Sequence, residues 1–131
     1  MPKFSTKSEE KLATCHPDLQ TLFRAVVLHR DCTIVEGHRG KIAQDTAYAA
    51  GRSRRPWPKG EHNAVPSRAV DALPFVNGRI CDTEAECRAF GGFVMGVAAM
   101  LSISVRWGGD WDGDGDSHDQ SLHDLCHFEL C

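Results

Sequence analysis

No long apolar run occurs in this chain of 131 residues. The most apolar stretch, residues 90–103, is interrupted by three glycines and a serine, whereas a membrane-spanning helix needs about 20 consecutive apolar residues. The first residues are polar and charged, without the apolar segment of a secretory signal. We therefore expect no stable membrane insertion, and a protein that stays in a cytoplasm until something else releases it.

An excess of positive charge is also missing. The 15 Lys and Arg residues are outnumbered by 18 Asp and Glu residues, which gives a formal net charge of −3. Nucleic-acid-binding domains usually carry the opposite sign, so nucleic acid is not an expected partner. Charged residues at 25% and hydrophobic residues at 41% exclude a disordered or coiled-coil chain. The length predicts one domain, residues 1–131, which we expect to be a monomer.

Closely spaced cysteine pairs are absent, although the chain has six cysteines. Without a C-x-x-C pair, neither a zinc ribbon nor a thioredoxin motif is supported. Disulfides are not expected, because no secretory signal is visible. We expect most of the thiols to be buried, since a free cysteine behaves as a small hydrophobe. Cys131, at the end of the chain, is the candidate for a reactive thiol.

Apolar spacing predicts four helices. Ser8 is expected to cap a short first helix, with two glutamates in its first turn. Pro17 suits the first turn of a longer helix that ends near His29. One face of that helix is apolar at helical spacing, with Leu19, Leu22, Phe23, Val26 and Val27. A third helix covers residues 41–50, and Thr83 caps the fourth.

Short apolar and β-branched runs predict four strands, at residues 33–36, 69–73, 103–107 and 126–130. Asn77-Gly78 is a strong turn signal, whereas residues 52–63 form a basic loop and residues 108–119 an acidic one. Helices and strands alternate without a regular βαβ rhythm. The sequence therefore predicts an α+β fold with a small antiparallel sheet flanked by helices.

Two histidines and a carboxylate have a spacing that suits a metal site. His62 lies in a predicted loop, Asp71 in a predicted strand and His127 in the last strand. Two imidazoles and one carboxylate form a three-ligand set that leaves a fourth tetrahedral position for water, as in catalytic zinc sites. The alternative is that Asp71 pairs with Arg68 or Arg39 and that the histidines are ordinary polar residues.

Three segments together resemble a known family. They are Gly37-His38-Arg39 followed by Gln44, then His62 with Ala69 and Asp71, and finally Asp124 followed by His127. This order resembles the zinc D,D-carboxypeptidase and phage endolysin family, which has the hedgehog/D,D-peptidase fold. Residues 8–20, 74–80 and 106–111 further resemble endolysins that are L-alanyl-D-glutamate peptidases, so the resemblance extends over nearly the whole chain.

The first ligand segment departs from the family pattern. Gly60 stands where the family has a serine two residues before the first histidine. The interval between His62 and Asp71 is two residues longer than usual, and the extra residues lie around Pro66. Because this region is predicted to be a loop, we expect the two ligands still to converge.

The resemblance implies a role for each residue. It implies that His62, Asp71 and His127 hold Zn²⁺ and that Asp124 is the general base. Arg39 would bind an oxyanion or a substrate carboxylate through its planar donor fork, and Gln44 would help to bind substrate. The alternatives are that Asp124 is a loop acid and that Arg39 forms a salt bridge with a neighbouring acid such as Glu36.

The acidic loop contains a partial calcium motif. Its carboxylates alternate along the chain at Asp110, Asp112, Asp114 and Asp116. This matches the first half of a calcium loop, but position 12 is Ser121 instead of glutamate, which excludes an EF-hand. The two interpretations are a Ca²⁺ site and a solvated acidic loop.

The resemblance implies a phage endolysin that hydrolyses the L-Ala-D-Glu bond of peptidoglycan stem peptides to lyse the host. It would act in the periplasm and cell wall after release from the host cytoplasm by a holin. One alternative is a D-alanyl-D-alanine carboxypeptidase. The other is a non-catalytic zinc- or calcium-binding module of the same fold.

Overall fold

The computed structural model describes residues 2–116 and 124–131. Within these ranges the helices are α1 (Thr6–Leu12), α2 (Pro17–His29), α3 (Lys41–Ala49) and α4 (Glu84–Met100). The strands are β1 (Cys32–Glu36), β2 (Ala69–Val76), β3 (Arg79–Ile80), β4 (Val105–Gly108) and β5 (Asp124–Leu130). A single 3-10 turn covers Glu61–Asn63.

The strands form one antiparallel sheet in the order β1-β2-β5-β4, with β3 paired to the end of β2. The β2–β3 hairpin turns at Asn77 and Gly78, whose φ angles of 52° and 77° are those that a tight hairpin turn needs. The predicted α+β class and antiparallel sheet are therefore confirmed. Strand β2 runs three residues further than predicted, through Pro74.

The core lies between the sheet and helices α2 and α4. The five apolar residues predicted for one face of α2 are all buried. Phe128 of β5 is fully buried among the rings of Phe23, Phe90 and Trp107, with ring centroids 5.5–6.5 Å away. Aromatic contacts of this kind add to the stabilisation that burial alone provides. The face of β5 opposite this core is left for polar residues.

The start of the first helix differs from the prediction. Ser5, not Ser8, is the N-cap, and its hydroxyl accepts a hydrogen bond from the Ser8 amide. Ser8 is buried inside the helix, where its Oγ accepts from the Ile34 amide at 3.0 Å and lies 3.1 Å from Thr33 Oγ1. A serine three residues upstream offers the same capping chemistry, and only the contact with β1 distinguishes the two.

All six cysteines are free thiols, as predicted. Cys15, Cys32 and Cys87 are buried, Cys81 and Cys126 are partly buried and Cys131 is exposed, so half of the thiols are buried where most were expected to be. In the part of the chain that the structure describes, no helix combines the length and the apolar character needed to cross a membrane.

Candidate active site

Strand register places acidic and imidazole side chains side by side on the polar face of the sheet. Glu36 of β1 pairs with Asp71 of β2, and Asp71 pairs with His127 of β5. His62 reaches the same point from the 3-10 turn that precedes β2. The site is therefore built across three adjacent strands and one turn that are far apart in sequence.

His62 is held by the backbone of the Gly37 segment. It is 4% exposed, and its Nδ1 lies 2.7 Å from the Gly37 carbonyl oxygen, which can only accept a hydrogen bond. The ring proton therefore belongs on Nδ1, and the Nε2 lone pair faces Asp71 Oδ1 at 3.2 Å. A side chain at Gly37 would collide with Lys11 and Thr14, so glycine is needed for this segment to lie against the C-terminal end of α1.

His127 has the complementary arrangement. Its Nε2 lies 2.8 Å from Glu129 Oε1, and its Nδ1 lies 3.1 Å from Asp71 Oδ1. With the ring proton on Nε2, the Nδ1 lone pair faces the same carboxylate oxygen that His62 faces. The two rings meet edge to face with centroids 5.1 Å apart.

The donor atoms of His62, Asp71 and His127 lie within 4.8 Å of one another. Two imidazole lone pairs and a carboxylate oxygen repel each other unless a cation lies among them. A proton can fill this role in the metal-free protein, and a metal ion can fill it with three ligands at once. Two imidazoles with one carboxylate form the donor set of a catalytic metal site, so the residues fit a bound metal ion.

The pKa values of Asp71 and His127 reflect the attraction between the carboxylate and a protonated imidazole. Burial opposes ionisation of Asp71, but its hydrogen-bonding contacts with His127 and His62 outweigh burial and hold the pKa of the carboxyl well below its usual range. Burial likewise lowers the pKa of His127, yet hydrogen bonds to Asp71 and Glu129 raise it to about 9. The pocket therefore favours positive charge next to an ionised Asp71.

Comparisons with known proteins identify the family of this chain. Residues 1–131 match the family described as phage L-alanyl-D-glutamate peptidase. The chain is 34% identical to the L-alanyl-D-glutamate peptidase of Escherichia phage T5 over 137 aligned positions, which cover 98% of this chain and 97% of the phage protein. The chain belongs to the phage L-alanyl-D-glutamate peptidase family. It is a peptidase, as its sequence predicted.

The fold of this peptidase also has a solved counterpart. The L-Ala D-Glu endopeptidase ChiX of Serratia marcescens superposes with a TM-score of 0.76 at 25% sequence identity. The match covers 99% of this chain and 91% of ChiX. The lengthened interval between His62 and Asp71 therefore lies within a shared fold.

Asp124 begins β5 and lies beside His62, Asp71 and His127, the candidate metal-ligand cluster of this peptidase. Burial, followed by the negative charge of Asp71, raises the pKa of its carboxyl. The Cys126 thiol donates to Asp124 Oδ1 at 3.5 Å. Gly108 of β4 pairs with Asp124, and a side chain there would collide with the Asp124 backbone. This close approach fixes where β5 begins.

Arg39 lies at the edge of the cluster, with most of its donors already engaged. Glu36 accepts from its Nε at 3.0 Å and from its Nη2 at 2.8 Å, and these hydrogen bonds are the main reason that the pKa of Arg39 is raised. Nη2 also lies 3.9 Å from Asp71 Oδ2. The salt bridge with Glu36 is thus present, and Arg39 nevertheless remains next to the metal-ligand cluster.

Gln44 is fully buried, and its amide forms hydrogen bonds with neighbouring residues of the protein. Its Oε1 accepts from Arg39 Nη1 at 3.0 Å and from Asn63 Nδ2 at 3.1 Å, and its Nε2 donates to Ser53 Oγ at 2.9 Å. The amide links α3, the basic loop and the turn that carries His62. Through these contacts a residue of α3 holds Arg39 and the turn that carries His62.

The acidic loop has an arrangement of its own. Asp110, Asp112 and Asp114 each place one carboxylate oxygen within 4.8 Å of the other two, and Asp116 is not in this group. Asp110 Oδ1 is buried and has no hydrogen-bond partner among residues 2–116 and 124–131, while Oδ2 accepts from the Gly115 amide at 2.9 Å. Ser121, at the twelfth motif position, lies outside the described residues.

Two residues near His127 were not predicted. Glu129 lies on the same face of β5 because it follows His127 by two residues, and that alternation is the signal that could have identified it. Trp111, in the acidic loop, places its ring 5.6 Å from the His127 ring. No local pattern predicts that contact, since it depends on how the loop folds back over β5.

Proposed function

We propose that this peptidase is a zinc-dependent endolysin that hydrolyses the L-Ala-D-Glu bond of peptidoglycan stem peptides. The observation that carries the proposal is the convergence of two imidazole nitrogens on Asp71 Oδ1, at 3.2 and 3.1 Å. Family membership supports the choice of bond. His62 through Nε2, His127 through Nδ1 and Asp71 would hold the ion.

The chain's own residues supply the proton transfers. A bound zinc ion would polarise the scissile carbonyl and lower the pKa of an attacking water. Asp124 takes the proton of that water as the new C–O bond forms, and delivers a proton to the leaving amine as the C–N bond breaks. Burial and the charge of Asp71 raise the pKa of Asp124, so it holds a proton more readily than an ordinary aspartate, which suits a group that must accept a proton and then donate it.

Arg39 would hold negative charge of the substrate, either a carboxylate or the developing oxyanion. Glu36 fixes the orientation of the guanidinium from one side and Gln44 from another. We assign Gln44 to substrate binding through Arg39, because its amide is engaged within the protein.

Cleavage of a purified stem peptide, followed by mass spectrometry, tests the proposal. We expect products separated at the L-Ala-D-Glu bond in the presence of zinc, and none after chelation. Release of terminal D-Ala would identify the D-alanyl-D-alanine carboxypeptidase instead. A folded, zinc-loaded protein without any cleavage would identify the non-catalytic module.

Metal analysis of His62→Ala and His127→Ala tests the ligand assignment. Each variant should lose stoichiometric zinc, because two remaining ligands hold the ion far less tightly. Retention of full zinc in both folded variants would refute the assignment. His29→Ala, at an exposed histidine in the last turn of α2, is the matched control.

The remaining proposals concern organisation and delivery. Residues 1–131 would form one catalytic domain that works as a monomer, which the single hydrophobic core supports. The enzyme would reach the periplasm and cell wall from the host cytoplasm through a holin, since peptidoglycan lies outside the inner membrane. We further propose that the acidic loop binds Ca²⁺ through Asp110, Asp112 and Asp114, with Asp116 in support.

A further inference from the structure

We propose that Glu129 is a positioning residue of the metal centre, which holds the His127 imidazole so that Nδ1 is presented to the ion. This inference rests on the proposed function only in that a metal ion binds at His62, Asp71 and His127. It gives Glu129 no contact with the ion and no part in bond cleavage.

The geometry at His127 allows one ring orientation. Glu129 Oε1 lies 2.8 Å from Nε2, and Asp71 Oδ1 lies 3.1 Å from Nδ1, on the other side of the ring. With an ion bound next to Asp71, Nδ1 must offer its lone pair, so the ring proton has to be on Nε2. A carboxylate that accepts from Nε2 selects that tautomer and that orientation.

Glu129 is itself held in place. It is 6% exposed, and a buried carboxylate is costly unless it is paired. Arg106 of β4 is the cross-strand neighbour of Glu129, and its Nη2 lies 3.6 Å from Oε2. One carboxylate oxygen therefore faces Arg106 while the other accepts from His127, so both oxygens of Glu129 are engaged.

His62 provides an internal comparison. Its remote nitrogen is held by the Gly37 carbonyl, a backbone group that no side-chain substitution removes. The remote nitrogen of His127 depends on a side chain two residues away on the same strand. Loss of Glu129 would leave the His127 ring free to rotate or to place its proton on Nδ1, where the proton competes with the metal ion.

Zinc affinity of Glu129→Ala and Glu129→Gln, measured by competition with a chelator of known affinity, tests the inference. Removal of an outer carboxylate of this kind typically weakens metal binding about 10–100-fold, and we expect that loss for Glu129→Ala. Glu129→Gln retains an acceptor oxygen for Nε2, so its affinity should lie between alanine and wild type. Glu9→Ala, which removes an exposed carboxylate paired with Arg24, is the control.

Imidazole ¹⁵N spectra of the zinc-loaded wild-type protein give a second measurement that does not depend on a variant folding. We expect His127 to carry its proton on Nε2 and His62 to carry its proton on Nδ1. A folded Glu129→Ala with wild-type zinc affinity, or a His127 proton on Nδ1, would overturn the inference. A wild-type protein that binds no zinc would instead refute the proposed function.

Discussion

The environment of Asp124 differs from that of an ordinary surface carboxylate. Burial and the charge of Asp71 favour its protonated form, which a group that alternately accepts and donates a proton requires. Asp71, a neighbouring carboxylate of the same chemistry, is instead held ionised by two imidazoles. Two carboxylates in one pocket thus acquire separate roles from their surroundings.

We predict that Asp124→Asn retains zinc and fold but loses activity about 10²–10⁴-fold, as expected for removal of a general base. The amide has the same shape and cannot take the proton. Steady-state cleavage of the stem peptide, with zinc content measured on the same sample, provides the check. Activity within a few-fold of wild type would assign proton transfer to another group.

A buried thiol makes stability sensitive to alkaline pH. Burial, and then the charge of Asp31, raise the pKa of Cys32 from 9.0 to about 12. Between these values the unfolded chain loses a proton that the folded protein keeps, so the free energy of unfolding falls as pH rises. The stabilisation is fully present below about pH 9 and is lost progressively up to about pH 12.

We therefore predict that the urea midpoint decreases between neutral pH and about pH 10, and that Cys32→Ala reduces this decrease. The quantity to compare is the slope of the urea midpoint against pH in each protein. The midpoints themselves also differ, because alanine changes packing at a buried position. Cys131→Ala, at an exposed thiol, should leave the slope unchanged. An identical slope for Cys32→Ala and wild type would contradict the prediction.

The acidic loop is the element whose behaviour we expect to depend on a second ion. Asp112 and Asp114 bring like charges close to Asp110, and burial and these charges raise the pKa of Asp110, against a hydrogen bond from Gly115. A bound Ca²⁺ would neutralise the cluster. Because Trp111 of the same loop contacts His127, ordering of the loop would be transmitted to the metal-ligand cluster.

We predict that Ca²⁺ at fixed zinc raises activity or the melting temperature, and that Asp112→Asn combined with Asp114→Asn abolishes the rise. The physical basis is preferential binding of the ion to the ordered loop. Asp45→Asn, on the exposed face of α3, is the control. If calcium changed neither quantity relative to chelator, the loop would be a solvated acidic turn.

At the scale of the whole molecule, the metal-ligand cluster joins segments that the chain keeps far apart. Its members come from the 3-10 turn, from β2 and from β5. An ion that binds only the folded arrangement stabilises it by mass action, by about 2.7 kcal/mol at 100 times its dissociation constant. For a domain of this size that stabilisation corresponds to several degrees in melting temperature.

We predict that zinc raises the melting temperature by several degrees. Chelation should reverse this rise, and His127→Ala should eliminate it. Calorimetry of the same preparation with and without zinc measures the shift. The His127→Ala variant must be compared with its own metal-free state, since it also loses the contact with Asp71. A zinc-dependent shift of full size in this variant would contradict the ligand assignment.

Local sequence patterns determined much of the fold. The apolar face of α2 and the Asn77-Gly78 hairpin turn are encoded by residues that are close in sequence, and both occur where they were predicted. The α+β class followed from the same periodicities. The family and its ligand set came from motif order along the chain, because the spacing of His62, Asp71 and His127 alone left other interpretations open.

Only the tertiary structure decided how the site is assembled. Sequence could not show that the Gly37 carbonyl accepts a hydrogen bond from the His62 ring, or that the Gln44 amide is hydrogen-bonded to Asn63 inside the protein. These contacts join residues of different segments of the chain. A hydrogen bond forms only where packing brings donor and acceptor to about 3 Å from each other. Periodicity fixes which face a residue occupies, whereas strand register and packing fix which atoms meet.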